Sequence, residues 1–295
     1  MVSVSRGVAD LALRRAGSRR RWMAGEWAGL VGAGIVVVAC VLAIFAAQIA
    51  RQSPDSQHLL QVLQGPSAQH PLGTDEVGRD VLSRVIYGSR IPLGVGSAAV
   101  VLGGAIGVAL GMISGYVGRW VDAVLGRVAN IQLSIPAIIL AVAFLALRGG
   151  GLLSLVVVLA ATGWPTYYRV VRSHVISART GNFVTALSVI AASHWRIMFR
   201  HLIPDALPLV VVTATLDFSR AVLLEAGLSY LGLGVQPPTP DWGLMVASGQ
   251  TQLAGAWWIS VFPGIALVLL LLGINLFGDW LADRVGRRTR SGVLQ

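Results

Sequence analysis

The chain of 295 residues contains no lysine; every one of its 23 basic residues is arginine. A phosphate-binding P-loop needs a lysine to reach the β- and γ-phosphates, so this sequence holds no such nucleotide site. Cysteine is almost as scarce. The single one, Cys40, excludes a disulfide framework and any cysteine-rich metal site built from this chain. The histidines His58, His70, His174, His194 and His201 form no His-Glu-x-x-His pattern, and no Gly-x-Ser-x-Gly elbow is present, so an enzyme active site has no support. Charge is scarce as well: 12% of residues are charged, about half the roughly 25% of an average globular domain. What is abundant is apolar, at 55% of residues. That balance describes a membrane protein.

The formal net charge of +10 invites a nucleic-acid reading, and the placement of the arginines argues against it. They cluster at Arg14, Arg15, Arg19, Arg20 and Arg21 ahead of the first apolar run and at Arg284, Arg287, Arg288 and Arg290 behind the last. Such flanking charge is what membrane topology demands. A hydrocarbon core needs about 20 apolar residues per helix, and six segments approach that length: Leu30–Ala50, Ile91–Ile113, Val128–Leu147, Leu152–Tyr168, Ala206–Leu224 and Ile259–Leu281. The first is too long for a signal-peptide core and no small-x-small site follows it, so it is expected to be retained. Trp164-Pro165 interrupts the end of the fourth, and Pro136 marks a kink in the third.

The expected fold is therefore an all-α integral membrane protein with six transmembrane helices. Most arginines fall in the two tails and in the segments after spans 2 and 4, whereas the other loops hold only Arg51, Arg79, Arg84, Arg90 and Arg148. The positive-inside rule then puts both termini in the cytoplasm of a bacterial cell membrane. The plan reads as a basic tail (residues 1–27), a first helix (28–50), an outer loop (51–90), a core of five helices (91–281) and a second basic tail (282–295). In the outer loop Thr74 is placed to cap a short helix carrying Val77, Val81 and Val85. Gly103, Gly104, Gly107 and Gly111 permit close helix contact in span 2. Trp242, Trp257 and Trp258 in the outer segments suit either interfacial anchoring or contact with a partner.

The cytoplasmic loop 169–205 is too long for a simple turn. Phe183, Ala186, Leu187, Ile190 and Ala191 share one helical face, and Ser193 is placed to cap a second helix. There Trp195, Met198, Phe199 and Leu202 share a face, Arg196 and Arg200 point away, and Pro204 ends the run before Pro208 enters span 5. Such a pair can lie on the bilayer surface or dock a cytosolic partner.

These residues resemble the coupling segment of bacterial importer permeases, whose pattern is Glu-Ala-Ala, three residues, Gly, nine residues, Ile-x-Leu-Pro. Here Thr185, Ala186 and Leu187, then Ala191, then His201, Leu202, Ile203 and Pro204 keep the spacing, with Thr185 in place of the Glu and Ala191 in place of the Gly. HPLGTDEVGRDVLSRVIYGSRIPL from His70, EAGLSYLGLGVQPPTPDWGLM from Glu225 to Met245, and NLFGDWLADRV with Asp279 and Asp283 are similar to the C-type (second) membrane subunit of the dipeptide, oligopeptide and nickel ATP-binding cassette importers. Asn130 stands where that family often has Asp. The resemblance covers most of the chain from His70 to Asp283.

It implies a non-catalytic permease that forms half of a peptide pathway. Its partners would be a second homologous (B-type) permease, two cytosolic ATPases that bind the ATP and Mg, an extracytoplasmic binding protein and membrane lipid. No nucleic acid and no cofactor in this chain are expected. The ATPase contact would fall on Thr185, Ala186, Leu187, Ala191, Ser193, Trp195, Arg196, Met198, Phe199, Arg200, Leu202 and Pro204. A nickel-complex or other small-solute importer, a self-sufficient secondary transporter and an intramembrane enzyme are the alternatives. Candidate pathway residues are Asn130, Gln132 and Ser134, which helix–helix hydrogen bonds explain equally, the Asp217 and Arg220 pair, and Glu225.

Overall fold

In the computed structural model, residues 25–179 and 193–292 are described. The expected segments Phe183 to Ala191 and Arg14 to Arg21 lie outside them. The described residues are helical, with one isolated bridge between Thr74 and Asp80. In chain order the helices are α1 (Gly25–Ile44), α2 (Ala46–Ile49), α3 (Val81–Gly88), α4 (Arg90–Val117), α5 (Arg119–Ser134), α6 (Ala137–Arg148), α7 (Leu152–Arg179), α8 (His194–Ile197), α9 (Ile203–Tyr230), α10 (Trp242–Gly249) and α11 (Trp258–Gly292). A π-turn, Met198–Leu202, joins α8 to α9.

Four of these are long and apolar enough to cross a bilayer: α1, α3 with α4, the stretch Trp195–Tyr230, and α11. The expected third span is broken. α5 and α6 meet at an 87° bend, and count as a fifth span only if taken together. Pro136 is the cause, because it holds Ile135 in an extended conformation and so ends α5. The expected fourth span, α7, has 28 residues, about 42 Å of helix. From Trp164 onward it carries Trp164, Pro165, Tyr167, Tyr168, Arg169 and Arg172, so composition alone does not make it a sixth.

Pro165 does not interrupt α7. A helical proline leaves the carbonyl four residues back without a donor, here that of Ala161. The side chain of Gln132 on α5 repairs the gap, its Nε2 donating to Ala161 O at 2.5 Å. α7 is also closely packed, because α4 presents a row of glycines to it. A Cβ on Gly103 would lie 2.9 Å from Ala160 O, one on Gly107 2.4 Å from Trp164 O, and one on Gly111 2.7 Å from Tyr168 O. This is the contact the glycine spacing of span 2 anticipates. α1 packs on α11 in the same manner, with Gly32 against the backbone of Gly273 and Phe277. Glu26 Oε2 there accepts from Trp280 Nε1 at 3.1 Å and Arg284 Nη2 at 2.9 Å.

One end of the bundle is closed by a cap made from residues 51–88 and 231–257. Thr74 does not cap α3, because its hydroxyl is already held by Gln61 O and Gln64 N. Asp80 caps it instead, accepting from Ser83 N at 2.8 Å, so Val77 precedes the helix. Two tryptophans pin the halves of the cap together. Trp242 Nε1 donates to Val85 O at 2.9 Å and Trp258 Nε1 to Thr74 O at 3.0 Å. Both are buried, whereas Trp257 is half-exposed.

Replacing Gly107 with Val is expected to lower the stability of the purified complex by about 1–3 kcal/mol through overpacking. Gly94→Ala, on the open face of α4 with nothing within 4 Å, is expected to be neutral or slightly stabilising. Thermal unfolding in detergent checks the pair.

Candidate functional site

At the end of the bundle opposite the cap, Ser193 Oγ accepts from Arg196 N at 3.3 Å, as a capping residue should. The helix it starts does not stop at Pro204. It runs on through the π-turn into α9, with Pro204 in the first turn of α9. The amphipathic segment and the fifth span are therefore one continuous helical rod, Trp195–Tyr230.

The apolar face expected there divides in two. Ile197, Met198 and Leu202 are buried against Met112 of α4 and Val171 and Val175 of α7. Trp195 and Phe199 are 69% and 56% exposed and stack on each other, with ring centroids 5.3 Å apart. Burying Met198 and Leu202 inside the chain turns the neighbouring aromatic pair outward, and Arg196 and Arg200 stand exposed beside it. His174 Nε2 on α7 lies 2.9 Å from Asp205 Oδ2 at the foot of α9, which ties the rod to α7. Thr185, Ala186, Leu187 and Ala191 lie outside the described residues.

Sequence reasoning missed a nearby network. Arg172 on α7 grips Asp122 on α5 through both carboxylate oxygens, by Nε to Oδ1 and by Nη2 to Oδ2 at 2.6 Å. Ser114 of α4 donates to Asp122 Oδ1 at 2.6 Å and lies 2.9 Å from the Tyr168 hydroxyl. The readable signal was Asp122, an acid between two apolar runs with Arg172 as a candidate counter-charge across the next span.

The candidate pathway residues divide as well. Asn130 Oδ1 accepts from Arg169 Nη2 at 2.9 Å, and Ser134 Oγ bonds back to Asn130 O at 2.8 Å. Gln132, besides repairing α7, accepts from Trp164 Nε1 at 2.9 Å. All three take part in helix hydrogen bonding. Glu225, on α9, is buried at 1% exposure. It accepts from Ser229 Oγ at 3.0 Å and neighbours Asp241. Asp241 caps α10 by accepting from Leu244 N at 2.8 Å, and burial pushes its carboxyl above the ordinary carboxylate range. Asp217 and Arg220 do form a pair, Nε to Oδ1 at 2.7 Å, halfway along α9.

A helical bundle with ionic groups held at mid-membrane, a closed cap at one end and an outward-facing aromatic pair at the other defines a multi-pass membrane protein of the transport-permease class. Residues 107–291 match the family described as the binding-protein-dependent transport system inner membrane component, and the chain belongs to it. It is 39% identical over 262 residues to the dipeptide transport system permease protein DppC of Alkalihalophilus pseudofirmus, covering 89% of this chain and 86% of the relative. It is 37% identical over 268 residues to the probable D,D-dipeptide transport system permease protein DdpC of Escherichia coli K12, covering 90% of each. In fold it is similar to a chain of the MetNI methionine ABC transporter in an inward-facing conformation. The TM-score is 0.57 at 23% identity, over 68% of this chain and 96% of that one.

Gln132→Leu would leave both Ala161 O and Trp164 Nε1 without partners, at about 1–3 kcal/mol for each lost bond. A lower melting temperature of the detergent-solubilised complex, with unaltered expression, is the expected result.

Proposed function

We propose that this chain is one of two related pore-forming subunits of an ATP-driven importer, supplying half of a pathway for di- or oligopeptides. The observation that carries the reading is the stacked, exposed Trp195 and Phe199 pair at the head of a rod that runs unbroken to Tyr230. An exposed aromatic patch beside two arginines has the composition of an interface anchor. A cytosolic ATPase dimer is the partner that a permease without a P-loop requires. Closure of the ATPases on ATP and magnesium pushes the aromatic pair, and the rod passes the displacement to mid-membrane as a rigid-body movement.

The ATPase contact comprises Trp195, Arg196, Phe199 and Arg200, together with Thr185, Ala186, Leu187 and Ala191, which precede them in the sequence. Met198 and Leu202 act inside the chain, fastening the rod to α4 and α7. The distribution of arginines puts this end of the bundle and both termini in the cytoplasm. The cap then faces outward, where a substrate-binding protein delivers the cargo. Peptide cargo is supported by the dipeptide permeases among the relatives. The chain itself performs no chemistry.

The test uses the assembled complex. Trp195→Asp with Phe199→Asp is expected to abolish peptide uptake while this chain is still produced and inserted at the wild-type level, because both side chains are largely exposed in it. Met198→Asp, by contrast, is expected to destabilise it. Undiminished ATP-dependent uptake in the double variant would overturn the coupling role.

A further inference from the structure

Two arginine–aspartate pairs lie among the helices, and they are built differently. Arg172 and Asp122 form a closed fork in which both carboxylate oxygens are taken. Arg220 holds Asp217 through Nε alone, so the outer edge of the guanidinium is not used. Its Nη2 is buried and has no hydrogen-bond partner among the described residues. The hydroxyl of Tyr167 faces the Asp217 carboxylate from α7. Asp217 and Tyr167 are 5% and 1% exposed, while the Arg220 side chain keeps 32% of its surface open.

The site is thus short of an acceptor. Arg220 Nη2 is left unpartnered beside a carboxylate that Nε already holds, which is costly in a dry environment. Lipid cannot supply what is missing, since hydrocarbon offers no acceptor. Nor does the location suit a purely structural pair. Asp217 stands about 21 Å along α9 from Ile203, near its middle, where an ionic group is most expensive and faces a wet path or a protein partner. Gly163 lets α7 pack closely against the pair: a Cβ there would lie 3.0 Å from both Arg220 Nη2 and Asp217 Oδ2.

We infer that Arg220, oriented by Asp217 and assisted by Tyr167, binds the terminal carboxylate of the peptide as it passes mid-membrane. A carboxylate brings two acceptor oxygens in the plane that a guanidinium edge recognises. Asp217 is the positioning residue; it fixes the guanidinium through Nε and leaves the Nη edge for cargo. This inference rests on the peptide reading of the cargo.

The experiment uses the full complex with its binding protein, reconstituted in vesicles, and two tripeptides with free termini. One carries a benzophenone side chain at its C-terminal residue and the other at its N-terminal residue. During ATP-driven uptake the C-terminal probe is expected to label residues around Arg220. In Arg220→Gln that labelling should fall about tenfold, the loss of a charge-assisted fork, while the N-terminal probe labels as before. Arg220→Lys, which keeps the charge and loses the fork, should recover only part of the signal. Unchanged C-terminal labelling in Arg220→Gln, or an equal fall of both probes, overturns the inference. If the wild-type complex imports neither tripeptide, the peptide reading fails first and this assignment falls with it.

Discussion

Backbone amides and carbonyls inside a bilayer must be satisfied by the protein itself, and this fold depends on meeting that demand along α7. Pro165 removes one donor from the helix that α4, α5, α6 and α9 all touch, and Gln132 returns it from α5. With the break repaired, α7 stays straight enough for the α4 glycines to close on it. The same side chain receives the indole proton of Trp164. A residue that reads in sequence as a polar candidate for a water-filled route is therefore first a structural splice.

On that scaffold the molecule mounts one long rod. Trp195–Tyr230 begins outside the packed bundle, crosses it and ends under the cap. Ile197, Met198 and Leu202 fasten its lower end to α4 and α7, and Glu225 with Asp241 fastens its upper end to α10. Between these fixed points sits the incompletely paired Arg220. A push on the aromatic pair reaches mid-membrane without having to pass through a loop; a π-turn, Pro204 in the first turn and Pro208 are the irregularities on the way.

Much of this was legible in the sequence. Apolar runs located α1, α4, α9 and α11, glycine spacing identified the face that α4 turns to α7, and Ser193 was recognisable as a cap. Less legible was anything decided by a distant partner. Pro165 looked like an interruption because Gln132, which compensates for it, is 33 residues away in sequence. Trp195, Met198, Phe199 and Leu202 share helical periodicity, yet periodicity cannot say which members a neighbouring helix will cover. Thr74 lost its capping role to Asp80 because its hydroxyl was claimed by a turn ten to thirteen residues upstream. Trp242 and Trp258 looked like interface anchors and proved to be pins within the cap.

The central claim is that driving force enters this chain from another protein at the aromatic pair. Cysteine chemistry can test it directly, because Cys40 is the only native thiol. With Cys40→Ser and Phe199→Cys in the assembled transporter, a short thiol cross-linker should join this chain to an ATPase subunit, in a yield that changes when ATP is added. If Phe199→Cys instead reacts with a membrane-impermeant reagent applied outside the cell, or never cross-links to an ATPase, the account is contradicted.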